Sequence, residues 1–259
     1  MKKLSLLSAA FLFLLLPTAC KTGSEATAPQ QNFPQLFKQV LTAHGSLSQW
    51  RKMKTLKFTR GTGEDAVYHL INLATRDEVM TKDGSYTLGF QGKSMWVAPN
   101  KEAFPGKSPR FYRNLHFYFF ALPFVLADPG VNLSDEGEKT TGGQRYRILK
   151  ATFNAGVGDA PEDQYILYID PATYRIAMIN YSVTYFDNSK ATQYNALVYD
   201  WQEVDGLLVP SSFIGYKWED NALGDKRYEA PFSKVAFDKA AIPASAFAPT
   251  PGAFVEAGE

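Results

Sequence analysis

From Thr55 onward the apolar positions of this chain recur every second residue. Leu56 and Phe58 alternate with Lys57 and Thr59, and Val67, Ile71 and Leu73 share one face while Tyr68 and Leu70 take the other. The same alternation returns at Tyr86, Leu88 and Phe90, at 95–97, 146–153, 165–169, 175–186, 195–201, 207–218 and 227–237. In the long run 175–186, Ala177, Ile179, Tyr181, Val183 and Tyr185 line one face against Asn180, Ser182 and Thr184. Short turn signals separate the runs: Asp83-Gly84, Gln91-Gly92-Lys93, Asp170-Pro171-Ala172-Thr173 and Asp205-Gly206. A period of two broken by tight turns predicts about ten or eleven antiparallel strands, in a barrel or a sandwich, and not parallel βαβ units.

Two segments follow the helical period instead. In 33–50, Phe37, Val40, Leu41, His44 and Leu47 form one stripe, with Asn32 placed to cap it and Pro34 suited to the first turn. Gly45 predicts a left-handed end, and Ser46 or Ser48 a restart carrying Trp50. His44 on that stripe reads either as a core histidine donating to a backbone carbonyl or as a catalytic or ligand group. The second segment, RFYRNLHFYFFALPFVLAD at 110–128, places Phe111, Leu115, Tyr118, Phe119 and Leu122 at helical spacing, and 117–126 is apolar all round until Pro123 kinks or ends it. A helix apolar on every side must be buried on every side. In a β chain it lies inside, or against the mouth of, a curved sheet, either as plain core or as a lid over an apolar cavity.

The N-terminus reads differently. Lys2 and Lys3 precede LSLLSAAFLFLLL at 4–16, which is shorter than the roughly 20 residues a bilayer-spanning helix needs. A basic start, a short apolar run and a small residue before the break describe an export signal. The only cysteine follows, and Leu16-Pro17-Thr18-Ala19-Cys20 resembles the lipobox of bacterial lipoproteins, although Leu16 stands four residues before Cys20 where that pattern prefers three. The resemblance implies a signal peptide at 1–19 and an acylated Cys20 holding the chain to a membrane; a buried inert thiol or a plainly secreted protein are the alternatives. One acyl chain binds a membrane only marginally, so several are implied. Lys21 is not the Asp that favours inner-membrane retention, which points to the outer membrane, facing the periplasm of a Gram-negative-type envelope. Residues 20–32 are small and polar and form a flexible tether of about 20 Å reach. Residues 33–259 remain for a single half-barrel domain.

Composition narrows the function classes. Basic and acidic residues nearly balance, at 27 and 26, so there is no electrostatic footprint for nucleic acid and no polybasic patch for a lipid surface. With one Cys no disulfide can hold the fold. Aromatic residues make up 14% of the chain, enough to fill a core or to line a cavity. The three histidines, His44, His69 and His116, have no metal-ligand spacing. There is no G-x-S-x-G elbow, and Gly156-Val157-Gly158-Asp159 lacks the Lys and Ser/Thr of a phosphate loop. The acidic pairs Glu64-Asp65, Asp135-Glu136 and Glu162-Asp163 sit in turn-like stretches and read as solvated. No catalytic residue, metal site or cofactor is predicted. An undetected hydrolase would need His44 or His116 beside an acid and a Ser.

The segments AHGSLSQW (43–50), KTLKF (54–58), GSYTLGFQGKSMW (84–96), LHFYFFALPFVLADPG (115–130), YIDPATYRIAMINYSVTYF (168–186) and VDGLLVP (204–210) together resemble a family of uncharacterised bacterial lipoproteins related in architecture to the LolA/LolB lipoprotein carriers. The resemblance covers about 33–250 and implies an unclosed antiparallel β-barrel wrapped around a helix, its concavity holding acyl chains. No catalytic motif comes with it, and no functional residue of the carriers matches a position here. Burial of an acyl chain contributes about 0.8 kcal/mol per CH₂ and needs no charged partner. The sequence therefore predicts a membrane-anchored envelope lipoprotein, monomeric, with a lipid or lipoprotein ligand in a half-barrel cavity lined by Trp96, Phe111, Leu115, Phe119 and Phe124. An interaction lipoprotein with a solid core is the alternative.

Overall fold

The computed structural model describes residues 32–256; the signal peptide, Cys20 and the tether up to residue 31 lie outside the described residues. The helical stripe at the start forms α1 (Gln35–Ala43), which buries Leu36, Phe37, Val40 and Leu41. Pro34, not Asn32, occupies its N-cap position, with no side-chain cap bond. Gly45 then turns at φ +98°, and a Cβ there would sit 2.1 Å from the Gly206 carbonyl oxygen, so only glycine fits. Ser46 restarts the chain as N-cap of α2 (Leu47–Lys52), its Oγ accepting from the Gln49 N–H at 3.2 Å. Ser46→Ala removes that acceptor and is expected to cost about 1 kcal/mol in urea unfolding; a change below about 0.3 kcal/mol would show that Trp50 packing alone holds α2.

Among the described residues, thirteen antiparallel strands make one sheet in the order β13-β5-β4-β3-β2-β1-β12-β11-β10-β9-β8-β7-β6. They are β1 (Thr55–Arg60), β2 (Val67–Asn72), β3 (Glu78–Lys82), β4 (Tyr86–Gln91), β5 (Ser94–Ala98), β6 (Val131–Thr141), β7 (Gln144–Phe153), β8 (Tyr165–Ile169), β9 (Ile176–Tyr181), β10 (Asn195–Val204), β11 (Leu207–Glu219), β12 (Ala222–Asp238) and β13 (Phe254–Glu256). Hairpin neighbours pair throughout; the exceptions are β1 with β12, which joins the two halves, and β13 with β5. The edges β6 and β13 do not meet, so the barrel is unclosed.

The structure corrects the sequence reading in three places. Strands number thirteen among the described residues: the runs named from sequence omit β3, a five-residue strand with only Val79 and Met80 as apolar residues, and the edges β6 and β13, which are polar or exposed with no period-two burial to betray them. Asp135-Glu136 therefore belongs to a strand, at a bulge completed by Gly137 with φ +82°, and not to a turn. The run 175–186 pairs only as far as Tyr181; beyond it Asp163 accepts from the Thr184 N–H and Oγ1–H at 2.7 and 2.9 Å, so this acid is structural and not merely solvated.

The all-round apolar segment becomes α3 (Pro109–Phe120), capped by Ser108 Oγ on the Phe111 N–H and opened by Pro109 at its first position. It stops before Pro123, and 124–127 continue as a buried 3₁₀ turn. Phe120 stacks on Phe58 of β1 at 4.3 Å and meets Phe232 of β12, while Phe119 meets Tyr165 of β8 and Tyr181 of β9. Strands from both halves reach one helix only because the sheet curves round it. The fold is mainly β, an unclosed antiparallel half-barrel wrapped around α3, with α1 and α2 packed on the same side. Phe37, Leu41, Trp50, Phe117 and Phe120 join the strand residues Leu56, Ile71, Leu197 and Phe213 in one buried cluster that fills most of the concavity.

Candidate functional site

The unfilled room lies to one side of α3. Its residues Arg113, His116, Phe117 and Phe120 are buried, and the stripe formed by Phe111, Leu115, Tyr118 and Phe119 faces a cavity of about 290 Å³. The opposite wall is Val131 of β6, Phe153 of β7, Tyr165 of β8 and Tyr181 of β9, followed by Val183 and Tyr185 beyond the end of β9. Tyr165 and Tyr181 are register partners across β8 and β9, so one hairpin places both rings on the same face. Burial pushes both phenols up, leaving them neutral at any physiological pH.

The charged groups of the lining are Arg76, Asp128, Asp159 and Asp163. Arg76 Nη2 donates to Asp128 Oδ2 at 2.5 Å on one side; burial raises the Asp128 carboxyl, and the Arg76 charge opposes that shift. On the other side Asn114 Nδ2 donates to Asp159 Oδ2 at 2.6 Å, which ties the loop 154–164 to α3. That loop also rests on the chain at Gly130, where a Cβ would meet Val157 Cγ2 at 2.5 Å. Burial raises the Asp163 carboxyl against the two Thr184 hydrogen bonds. At the mouth Phe111, Tyr185 and Phe186 form a ring cluster with centroids about 5 Å apart, and Phe186 is 54% exposed.

Of the residues named from sequence, Phe111, Leu115 and Phe119 converge on this cavity. Trp96 and Phe124 lie elsewhere. Met95 and Val97 join a cluster on the α3 side of the sheet, so Trp96 between them points to the far face. There it covers Gly89, its register partner, and donates Nε1–H to the Phe247 carbonyl at 2.9 Å. Phe124 stacks on Trp50 at 4.6 Å and borders a second, more polar cleft of about 390 Å³. The strand aromatics Phe153, Tyr165 and Tyr181 and the loop 154–164 were missed as lining; the available signal was the register pairing of the two tyrosines.

The histidines are accounted for without an open cleft. His44 is fully buried, donates Nδ1–H to the Leu208 carbonyl at 3.3 Å and accepts the Ile176 N–H on Nε2 at 3.2 Å, the core-histidine reading. His116 donates to the Tyr112 carbonyl of its own helix. The carboxylate partner belongs to His69 instead: its Nδ1 lies 2.8 Å from Glu78 Oε1, both side chains fully buried. No cluster of three or more His, Cys, Asp or Glu able to hold a metal occurs among the described residues. Nor is any helix there long and apolar enough to cross a membrane.

A family of unknown function (DUF6503) matches residues 79–196. No curated protein matches the sequence. Among solved structures, a LolA superfamily protein from Nitrosomonas europaea is similar at 9% identity and a TM-score of 0.49, covering 81% of this chain and 96% of its own. A DUF1329 family protein from Desulfovibrio piger is similar at 12% identity and a TM-score of 0.42, covering 78% of this chain and 92% of its own. The Mycobacterium tuberculosis lipoprotein LppX is similar at 12% identity and a TM-score of 0.27, over 59% of this chain and 90% of its own. Similarity at this level carries no ligand and no activity across to this chain.

Proposed function

We propose that this chain is an envelope lipoprotein that binds one lipid tail in the cavity beside α3, held to the membrane through Cys20. The observation that carries the reading is the single-sided stripe Phe111, Leu115 and Phe119 facing Val131, Phe153 and Tyr165 across about 290 Å³. A helix stripe that touches the opposite wall at Phe111 and Phe119 yet leaves about 290 Å³ unfilled, next to a core that is otherwise packed, is room for something apolar. That volume lies at the small end of ligand pockets, which suits one acyl chain better than the several chains of a whole lipoprotein anchor. A tail of 10–12 buried carbons contributes about 8–10 kcal/mol before binding costs. The charged lining leaves the far end of such a ligand in water.

Full-length protein purified from a bacterial envelope and extracted for mass spectrometry is expected to yield an acyl lipid. Leu115→Trp, which puts an indole into the cavity, is expected to reduce that yield at least tenfold with little change in thermal midpoint. Wild-type protein without lipid, or a Leu115→Trp variant that carries as much as wild type, would refute tail binding. Anchoring is tested separately: Cys20→Ala is expected to move the protein from the membrane to the soluble fraction, and a variant still in the membrane would show that another part does the holding.

A further inference from the structure

The cavity and the cleft that borders it carry opposite charge balances. Arg76, Asp128, Asp159 and Asp163 are its charged lining, one cation against three carboxylates, with Asp159 and Asp163 together on the loop side. The second cleft, about 390 Å³, is bordered by Arg51, Lys54, Arg76 and Asp128, three cations against one carboxylate. The two spaces share Arg76 and Asp128 as lining. Arg51 and Lys54 are exposed, and neither side chain makes a hydrogen bond or ion pair with another described residue, whereas Arg76 is fixed. Its guanidinium bonds Asp128 and lies over the rings of Phe117 and Tyr118. Its carbonyl accepts from Arg113 Nη2, and its backbone is held at φ +62°.

Resting on the tail-binding reading above, we infer that the ligand is an anionic amphiphile, its carboxylate or phosphate head in the cleft of Arg51, Lys54 and Arg76 and its tail running past the Arg76–Asp128 pair into the apolar cavity. Arg51, whose countercharge is the Asp128 already bonded by Arg76, and Lys54, whose side chain makes no hydrogen bond or ion pair, gain by meeting an anion, and Arg76, held in place by Asp128 and Tyr118, has further N–H groups for carboxylate or phosphate oxygens. Asp159 and Asp163 on the loop side of the cavity repel the same head, so the ligand has one orientation. A neutral lipid would gain nothing at the cationic end, and a cationic one would bind reversed.

Full-length protein stripped of lipid is titrated calorimetrically with myristate, with monomyristoylglycerol, which has the same tail and an uncharged head, and with inorganic phosphate. Myristate is expected to bind about tenfold more tightly than the monoglyceride, the difference shrinking as salt rises from about 50 to 500 mM. Phosphate alone is expected to show no binding below millimolar concentrations. In the Arg51→Gln/Lys54→Gln variant, both positions being exposed, myristate is expected to fall to within about twofold of the monoglyceride. Equal affinities in wild type, a preference for the monoglyceride, or a preference that survives the double substitution would overturn the anionic head while leaving tail binding intact. Phosphate binding as tightly as myristate would reduce the cleft to a bare anion site. Failure of both amphiphiles to bind would remove the tail reading as well.

Discussion

Glu78→Ala is expected to lower stability by about 3–5 kcal/mol, seen as a fall in urea midpoint at unchanged slope. Glu78 stands on β3 with its side chain fully buried, His69 from β2 on one carboxylate oxygen and Arg113 Nε from α3 on the other at 3.1 Å. Arg113 is itself buried, over the Phe90 ring at 4.3 Å, and donates to the Arg76 carbonyl. Removing the carboxylate leaves a guanidinium away from water with no counter-charge, and that penalty, more than the lost attraction, sets the size of the effect. The control is His69→Phe/Glu78→Leu/Arg113→Met, which removes both charges together with the buried imidazole that Glu78 holds, and is expected within about 1–2 kcal/mol of wild type. The network is incompletely satisfied, since His69 Nε2 is buried without a partner, so replacing all three side chains by apolar ones loses little. Its value lies in position: Arg113 fixes the rotation of α3 against β3, and the neighbouring stripe of that helix is the cavity wall. The triple variant should therefore keep most of its stability and lose affinity for the proposed tail. If Glu78→Ala costs less than about 1 kcal/mol, the network is not what seats α3.

The antiparallel half-barrel was legible because most strands bury one face, and burial writes a period of two into the sequence. Where burial fails, so does the signal. Strand β6, VNLSDEGEKTT, is an edge with charged side chains on both faces, a pattern that discourages pairing with another chain and looks like a loop. The opposite error, extending β9 to residue 186, has an informative cause. Val183 and Tyr185 keep the alternation after pairing has ended because they face the cavity and not a neighbouring strand. The apolar character of 110–128 was legible for the same reason: α3 is covered on one side by core and on another by cavity wall. Spacing of four residues puts Phe111, Leu115 and Phe119 on one helix face, and all three line the cavity. Trp96 and Phe124 were misplaced because aromatic identity says a ring is buried and not on which side of the sheet; Gly89 opposite Trp96 was the clue to a ring lying flat on the far face. The His69–Glu78–Arg113 set was illegible, being assembled from the β2–β3 hairpin and a helix some 35 residues further on that only the curvature of the sheet brings against it.

Acidification from pH 7 to pH 4 is expected to remove about 3 kcal/mol of stability through His44 alone. Burial lowers its pKa to about 4, the Leu208 hydrogen bond opposing that shift and the Arg175 charge adding to it. In the unfolded chain the same imidazole titrates near 6.5. Between those values the unfolded state holds a proton the native state refuses, so stability is full above pH 6.5 and falls as pH drops, levelling near pH 4. The geometry explains the refusal: Nε2 already accepts the Ile176 N–H at 3.2 Å, and a proton there would set donor against donor in the packed floor of the barrel. His69 and His116 are lowered too, both chiefly by burial, and act in the same direction. Asp128 and Asp163, whose carboxyls are raised by burial, act in the opposite direction, because the native state takes up their protons first. Both are partly exposed and screened, so the histidines dominate. Urea midpoints measured from pH 7 to pH 4 should fall steadily in wild type, and the fall should be about 3 kcal/mol shallower in His44→Gln, whose amide can reproduce one donor and one acceptor without titrating. A wild-type midpoint flat across that range, or an unchanged slope in His44→Gln, would mean that the imidazole is not held neutral by its surroundings. The sheet–helix seam that His44 closes, between β9, β11 and the end of α1, would then have to be hydrated.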